Sequence, residues 1–333
     1  MMTGSARYDV LGLGNAIVDV IAKAEDDFLI AQGLHKGAMA LIGEATSALL
    51  YEAMGPATVF SGGSAANTMV GVASLGGKAA FIGKVREDEA GHAFRHDIRA
   101  AGVDFPTAAS PDGTATARCL VLVSPDGERT MSTFLGACVQ LGPDDVDEEL
   151  VRSARIVYLE GYLWDPPQAK DAFRKAARIA HQAGARIALT LSDSFCVDRY
   201  RDEFLELIRT GAVDILFANT SELHALYQTA DFDTAVAALK KETILAFITR
   251  SEAGCLIVEN GATQSTSAAP IERLVDTTGA GDLFAAGVLF GLARDLPHAR
   301  CAEIGALAAA EVIQHYGARP ETSLAALMQQ SKT

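Results

Sequence analysis

Six short runs rich in Val, Ile and Leu, at 8–14, 79–84, 155–160, 186–191, 213–217 and 244–249, alternate for the most part with longer stretches of helical spacing, such as Gln168 to Ala183 and Arg199 to Arg209. That alternation limits the fold more than any other feature. A strand that is apolar along its length has to be covered on both faces, and parallel neighbours need a crossover of a dozen residues or more, usually a helix. The pattern predicts an α/β protein with a mostly parallel sheet covered by helices on both faces. In such sheets ligands bind beyond the carboxyl ends of the strands. Asn15, Asp193 and Asn219 each stand just past an apolar run, where that rule looks for chemistry.

Two segments, 16–43 and 106–139, break the alternation. In the second, Thr114 to Val123 and Arg129 to Phe134 flank Ser124-Pro125-Asp126-Gly127, and an Asp-Gly pair between alternating segments signals a hairpin. Without crossover helices these pieces are expected to pair with each other as a small antiparallel β lid. The large domain then comprises 1–15, 44–105 and 140–333. A chain of 333 residues that is 49% hydrophobic can bury a core of that size.

Charge and composition remove several function classes. The net charge of −14 argues against nucleic acid as a partner, because phosphate backbones are bound by clustered Lys and Arg. An anionic substrate would have to be held by local devices: helix N-termini, Mg²⁺ and a few placed cations. No apolar stretch approaches the roughly 20 residues needed to cross a bilayer. Met1 to Asp9 shows no basic region followed by an apolar one, so a cytoplasmic protein is expected. The five cysteines are odd in number, widely spaced and form no CxxC pair, which suggests reduced thiols.

Asp276-Thr277-Thr278-Gly279-Ala280-Gly281-Asp282 precedes the apolar run Leu283 to Ala293, which reads as a buried helix. Small residues at a helix start let a ligand approach the backbone, and the first N–H groups of the helix have no partner within it. Such a place suits an anion. Asp282 is then either a carboxylate complementing the helix N-terminus or a base that takes the proton of an attacking hydroxyl, and the residues alone leave the two readings level.

Ser61-Gly62-Gly63-Ser64-Ala65-Ala66-Asn67 leads into a second apolar helix. Either Ser64 caps that helix and the glycines serve packing, or Gly62, Gly63 and Asn67 face a flat, hydroxyl-rich ligand. Gly12 and Gly14 begin like a dinucleotide fingerprint, but Ile17 stands at the third glycine position, which weakens an oxidoreductase reading. Asn219-Thr220-Ser221-Glu222 closes one strand and opens a helix: Asn219 can cap it, or Glu222 can organise the waters of Mg²⁺. No P-loop exists, since Gly77-Lys78 is followed by Ala79. His92 and His96 share a helix face but read as solvated rather than as a zinc site, and the acidic run from Asp144 to Glu149 reads as a helix start.

Together these stretches resemble the ribokinase-like, or PfkB-type, carbohydrate kinases. SGGSAANTMVGVASLGGKAAFIGKV at 61–85 and DTTGAGDLFAAGVLFGL at 276–292 are similar to the two signatures of that family, and NTSE at 219–222 to its NxxE motif. The resemblance implies a Rossmann-like domain with a β lid, and it tips Asp282 toward catalysis, with Gly279, Ala280 and Gly281 as the anion hole. It further implies that Asn15, Asp19, Gly62, Gly63, Ser64 and Asn67 hold the acceptor. Asn219, Glu222, Thr249, Gly254 and Thr278 would serve ATP and its phosphates, with Glu222 reaching Mg²⁺ through water. Asp276 and Thr278 match positions that bind a monovalent cation such as K⁺ in some members.

Within the family the likeness is to adenosine kinases, through the opening GLGNAIVDV and the long interval from Asp19 to Gly63. Tyr162 stands where an aromatic stacks on adenine in those relatives, unless it is a simple core aromatic, and Arg129 resembles a lid arginine that approaches the phosphates. Glu160 is more like the sugar-binding acid of ribokinases. The expectation is a monomeric or homodimeric kinase acting on a nucleoside, with a sugar kinase as the alternative and a non-catalytic ligand-binding relative as the remote one.

Overall fold

Residues 6–330 are described by the computed structural model. Residues 1–5 and 331–333 of the expected large domain lie outside them, and with them the first part of Met1 to Asp9. Each of the six apolar runs forms a strand of one nine-stranded sheet. Its order is Ala262–Thr266, Cys255–Glu259, Leu245–Thr249, Ile215–Asn219, Arg186–Thr190, Ala154–Glu160, Tyr8–Leu13, Ala79–Ile82 and Val103–Asp104. All neighbours pair in parallel except the two strands at 255–266, which extend one edge as an antiparallel hairpin.

Adjacent residues of these strands serve opposite faces, as the pleat requires. Leu11, Leu13, Ile187, Leu189 and Leu216 join Phe173 and Phe204 from the helices Pro167–Gln182 and Ser194–Arg209. Val10, Phe81, Ile156, Tyr158 and Phe217 join Met69 and Val72 of the helix Ser64–Ser74, and Phe284 and Val288 of the helix Ala280–Leu292. That last helix is buried continuously from Leu283 to Leu292, so only its first turn reaches the surface. The two helices that begin with the chemistry-bearing motifs therefore lie side by side on one face of the sheet.

A second sheet has five strands in the order Met39–Leu41, Arg129–Phe134, Ala117–Val123, Ile17–Lys23 and Ala57–Gly62. The predicted hairpin is present, with Val123 paired to Arg129 across the Asp-Gly turn. Two expectations need correcting. The sheet is mixed rather than antiparallel, because Ile17–Lys23 runs parallel to Ala117–Val123. Those strands are about a hundred residues apart in the chain, and the intervening sequence supplies the crossover. The sheet also recruits 57–62, and the helix Glu44–Ala53 packs against its hairpin, although the sequence division placed 44–62 in the large domain. Residues 57–60 form an exposed edge and so carry no core-strand pattern.

Candidate active site

Gly63, with φ of +96°, is the residue that caps the helix 64–74, so Ser64 is its first member and its hydroxyl is free for another task. A side chain at Gly63 would collide with the carbonyl of Asn15, which fixes the sharp entry into the helix. Ser64 Oγ donates to Asp282 Oδ1 at 2.6 Å, and Asn67 Nδ2 donates to Oδ2 at 3.0 Å. Both oxygens of the carboxylate are thus held from one turn of the neighbouring helix. The reading of Ser64 as a cap fails, because Gly63 occupies that position. Burial pushes Asp282 above the ordinary carboxylate range, against the opposing pull of Ser64, Asn67 and Arg319.

The strand 57–62 ends beside this pair. Gly62 leaves room for the carboxylate of Asp19, which any side chain there would strike. Burial pushes Asp19 up to about 6, while Arg319 and Arg129 oppose the shift and Asp282 adds to it. Asp19, Asn67, Ser61, Thr278, Arg129 and Arg319 share a cavity of ≈ 280 Å³ with an apolar wall of Ile21, Phe60, Val121 and Met131 from the small sheet. Asn67 Oδ1 is buried there without a hydrogen-bond partner. The cavity therefore joins a hydrogen-bonding floor near Asp282 to an apolar roof.

Arg129 crosses from the hairpin to the loop before the helix 280–292. Its Nη1 donates to Asp276 Oδ2 at 2.6 Å and to Thr278 Oγ1 at 2.7 Å. Asp276 also accepts from Gly317 N at 3.0 Å and, through Oδ1, from the backbone and hydroxyl of Thr278. Both oxygens of Asp276, the residue matched above to a monovalent-cation position, thus accept from protein donors, one of them a guanidinium. Arg129 also lines the cavity, and in this arrangement it latches the small sheet to the loop before the helix 280–292.

Other residues singled out from sequence lie outside the cavity lining. Glu160 is 1% exposed, accepts from Asn15 Nδ2 at 2.8 Å and from Ala65 N at 2.9 Å, and burial pushes it up to about 7. Glu160 and Asn15 therefore hold each other and the start of helix 64–74, and neither is among the cavity-lining residues. Tyr162 is neither a core aromatic nor part of the cavity wall: it is 36% exposed in a short helical turn and donates weakly to Ser192 O. Asn219 and Glu222 form a reciprocal cap, with Asn219 Nδ2 donating to Glu222 Oε1 at 2.7 Å, and burial pushes Glu222 up to about 7. Thr249 pairs with Asn219 across adjacent strands. Gly254 answers a packing need, since a side chain there would meet Thr266 O.

His92 and His96 are exposed on the helix Glu89–Ala100. Among the described residues no group of three or more His, Cys, Asp or Glu is placed to hold a metal ion. No helix among them is long and apolar enough to cross a membrane. Sequence reasoning missed the strap Gly317-Ala318-Arg319. Gly317 bonds Asp276, Ala318 packs under Gly279, and Arg319 Nη2 donates to Ser61 Oγ at 2.9 Å and to its carbonyl. The only available signal was a Gly-Ala-Arg-Pro turn after the last long helix, which matches no chemical motif.

Residues 53–324 match the pfkB family of carbohydrate kinases. The chain belongs to that family. This pfkB-family kinase is 54% identical to the adenosine kinase from Sinorhizobium meliloti, with 98% of this chain and 100% of that one covered and a TM-score of 0.91. It is 51% identical to a probable sugar kinase from Rhizobium etli, over 98% and 99% of the two chains, also with a TM-score of 0.91. A probable fructokinase from Arabidopsis thaliana is 30% identical over 236 residues, 68% of each chain. The pfkB-family kinase is accordingly a phosphotransferase with an alcohol group as acceptor.

Proposed function

We propose that this kinase transfers the γ-phosphoryl group of ATP to the hydroxymethyl group of a nucleoside, most directly adenosine, giving AMP. The observation that carries the reading is the pairing of the held carboxylate of Asp282 with a cavity that is polar at one end and apolar at the other. A sugar bound alone would leave Ile21, Phe60, Val121 and Met131 facing water, whereas a purine covers them. The identity of 54% to an adenosine kinase over nearly the whole chain supports the same acceptor.

In this reading Asp282 accepts the proton of the attacking hydroxyl, while Ser64 and Asn67 keep its carboxylate aimed. The first-turn N–H groups of helix 280–292, following Gly279 and through Ala280 and Gly281, meet the charge that develops on the transferred group. Asp19 and the unpaired Asn67 Oδ1 are the acceptors offered to the sugar hydroxyls. Mg²⁺ would travel with the triphosphate rather than sit in a protein cage. Glu222 is the acid assigned in this reading to its water shell, with its carboxylate held in place by the backbone N–H and Nδ2 of Asn219.

The test is ADP release with Mg-ATP over adenosine, other nucleosides, ribose and fructose. Turnover of adenosine is expected. Turnover of a sugar with no nucleoside accepted would replace the acceptor with that of a sugar kinase.

A further inference from the structure

Arg319 sits where three parts of the molecule meet. Its Nη2 grips the carbonyl and hydroxyl of Ser61, the residue before the Gly62-Gly63 turn that launches Ser64 and Asn67 toward Asp282. Ser61 is held on its other side by Asp97 of helix 89–100, which accepts from Ser61 N at 2.7 Å and from its hydroxyl. The guanidinium shares the acceptor cavity with Asp19, and its Nε is buried without an acceptor. Gly317, two residues earlier in the strap, is bonded to Asp276, the latch partner of Arg129.

We propose that Arg319 is a positioning residue for phosphoryl transfer, which supplies the counter-charge to Asp19 and Asp282 while fixing the turn that carries Ser64 and Asn67. The proposal rests on Asp282 as the base. Burial alone would drive both acids toward their neutral forms; Arg319 opposes this at both, joined by Arg129 at Asp19 and by the hydrogen bonds of Ser64 and Asn67 at Asp282. The other ionisable groups that act on this cluster are acids, phenols and one thiol: Glu160, Tyr158 and Tyr162 interact electrostatically with Asp282, Cys119 with Asp19, and Asp97 with Arg319. Burial pulls Arg319 itself down to about 10, which still leaves it charged at neutral pH.

The experiment is a kcat/KM–pH profile of the intact enzyme with Mg-ATP and its best acceptor, for wild type, Arg319→Gln, Arg319→Lys and Asp282→Asn. Removing the cation should move the acid limb of the Gln variant up by about one unit, so that activity at pH 5.5 falls about tenfold further than at pH 8. The Lys variant should keep the wild-type limb and lose only overall rate, because it keeps the charge without the fork that grips Ser61. A Gln profile that superposes on wild type after scaling overturns the proposal, as does a Lys limb displaced by a full unit. The Lys comparison decides the matter if the Gln variant does not fold. An Asp282→Asn enzyme with undiminished turnover marks failure of the base assignment instead, a pattern distinct from either Arg319 outcome.

Discussion

Ser64 Oγ lies 2.6 Å from Asp282 Oδ1, although 218 positions of sequence separate the two residues. The contact exists because Gly63 takes the capping position, which moves Ser64 one step into the helix and turns its hydroxyl toward the neighbouring helix start. A carboxylate that merely complemented a helix dipole would not need donors on both oxygens. Held from both sides, it is presented in one orientation.

Asp282→Asn should lower kcat by about 10²-fold or more, near the lower end of what a positioned base contributes, and should change acceptor KM little. Steady-state ADP release measures both, and an unimpaired variant contradicts the base.

The pH dependence follows from the same burial. A base works only when ionised, and Asp282 is raised above the usual carboxylate range while Asp19 reaches about 6. Activity is therefore full above these values and is lost as pH falls through them. Because the charge of Asp282 raises Asp19, the two titrations are coupled and the limb belongs to the pair. Full kcat/KM at pH 4.5 is the result that contradicts this account.

Gly281 and Gly63 should respond in opposite ways to alanine. A Cβ on Gly281 meets no atom within 4 Å, and the residue is helical, so Gly281→Ala should hold or raise stability by up to about 1 kcal/mol while cutting turnover at least tenfold by crowding the phosphoryl group. Gly63→Ala must adopt a positive φ and strike Asn15, and should cost about 2–4 kcal/mol in unfolding free energy. Urea unfolding and turnover measured together separate the two effects.

The latch between Arg129 and Asp276 should register as an interaction energy. Their side chains are 11% and 6% exposed, so Arg129→Met leaves a nearly buried carboxylate short of its cation and should cost about 2–4 kcal/mol. In a double-mutant cycle with Asp276→Ala, the combined loss should fall short of the sum by about 0.5–3 kcal/mol. Additive losses would mean the two residues are not coupled.

Much of this was legible in the chain itself. The parallel sheet could be read because buried strands have to be apolar throughout, and the helix 280–292 because ten consecutive buried residues leave no polar face. The Asp-Gly hairpin could be read because few residue pairs tolerate that turn. The edge strand 57–62 could not, since its first four residues are exposed and its register is set by Ile17–Lys23. Arg319 could not, since its partners Ser61, Asp97 and Asp19 come from distant parts of the chain.

By itself, then, the sequence determined which residues start helices, which strands are buried and where small residues leave a backbone open, because these are local matters of periodicity, capping and side-chain size. Only the tertiary structure decided what each polar group does with its hydrogen bonds. It joined Glu160 to Asn15, gave Asp276 to Arg129 and left Asp282 between Ser64 and Asn67. A buried polar atom takes whatever partner the fold brings within about 3 Å, and that distance is fixed by the packing of elements remote in sequence.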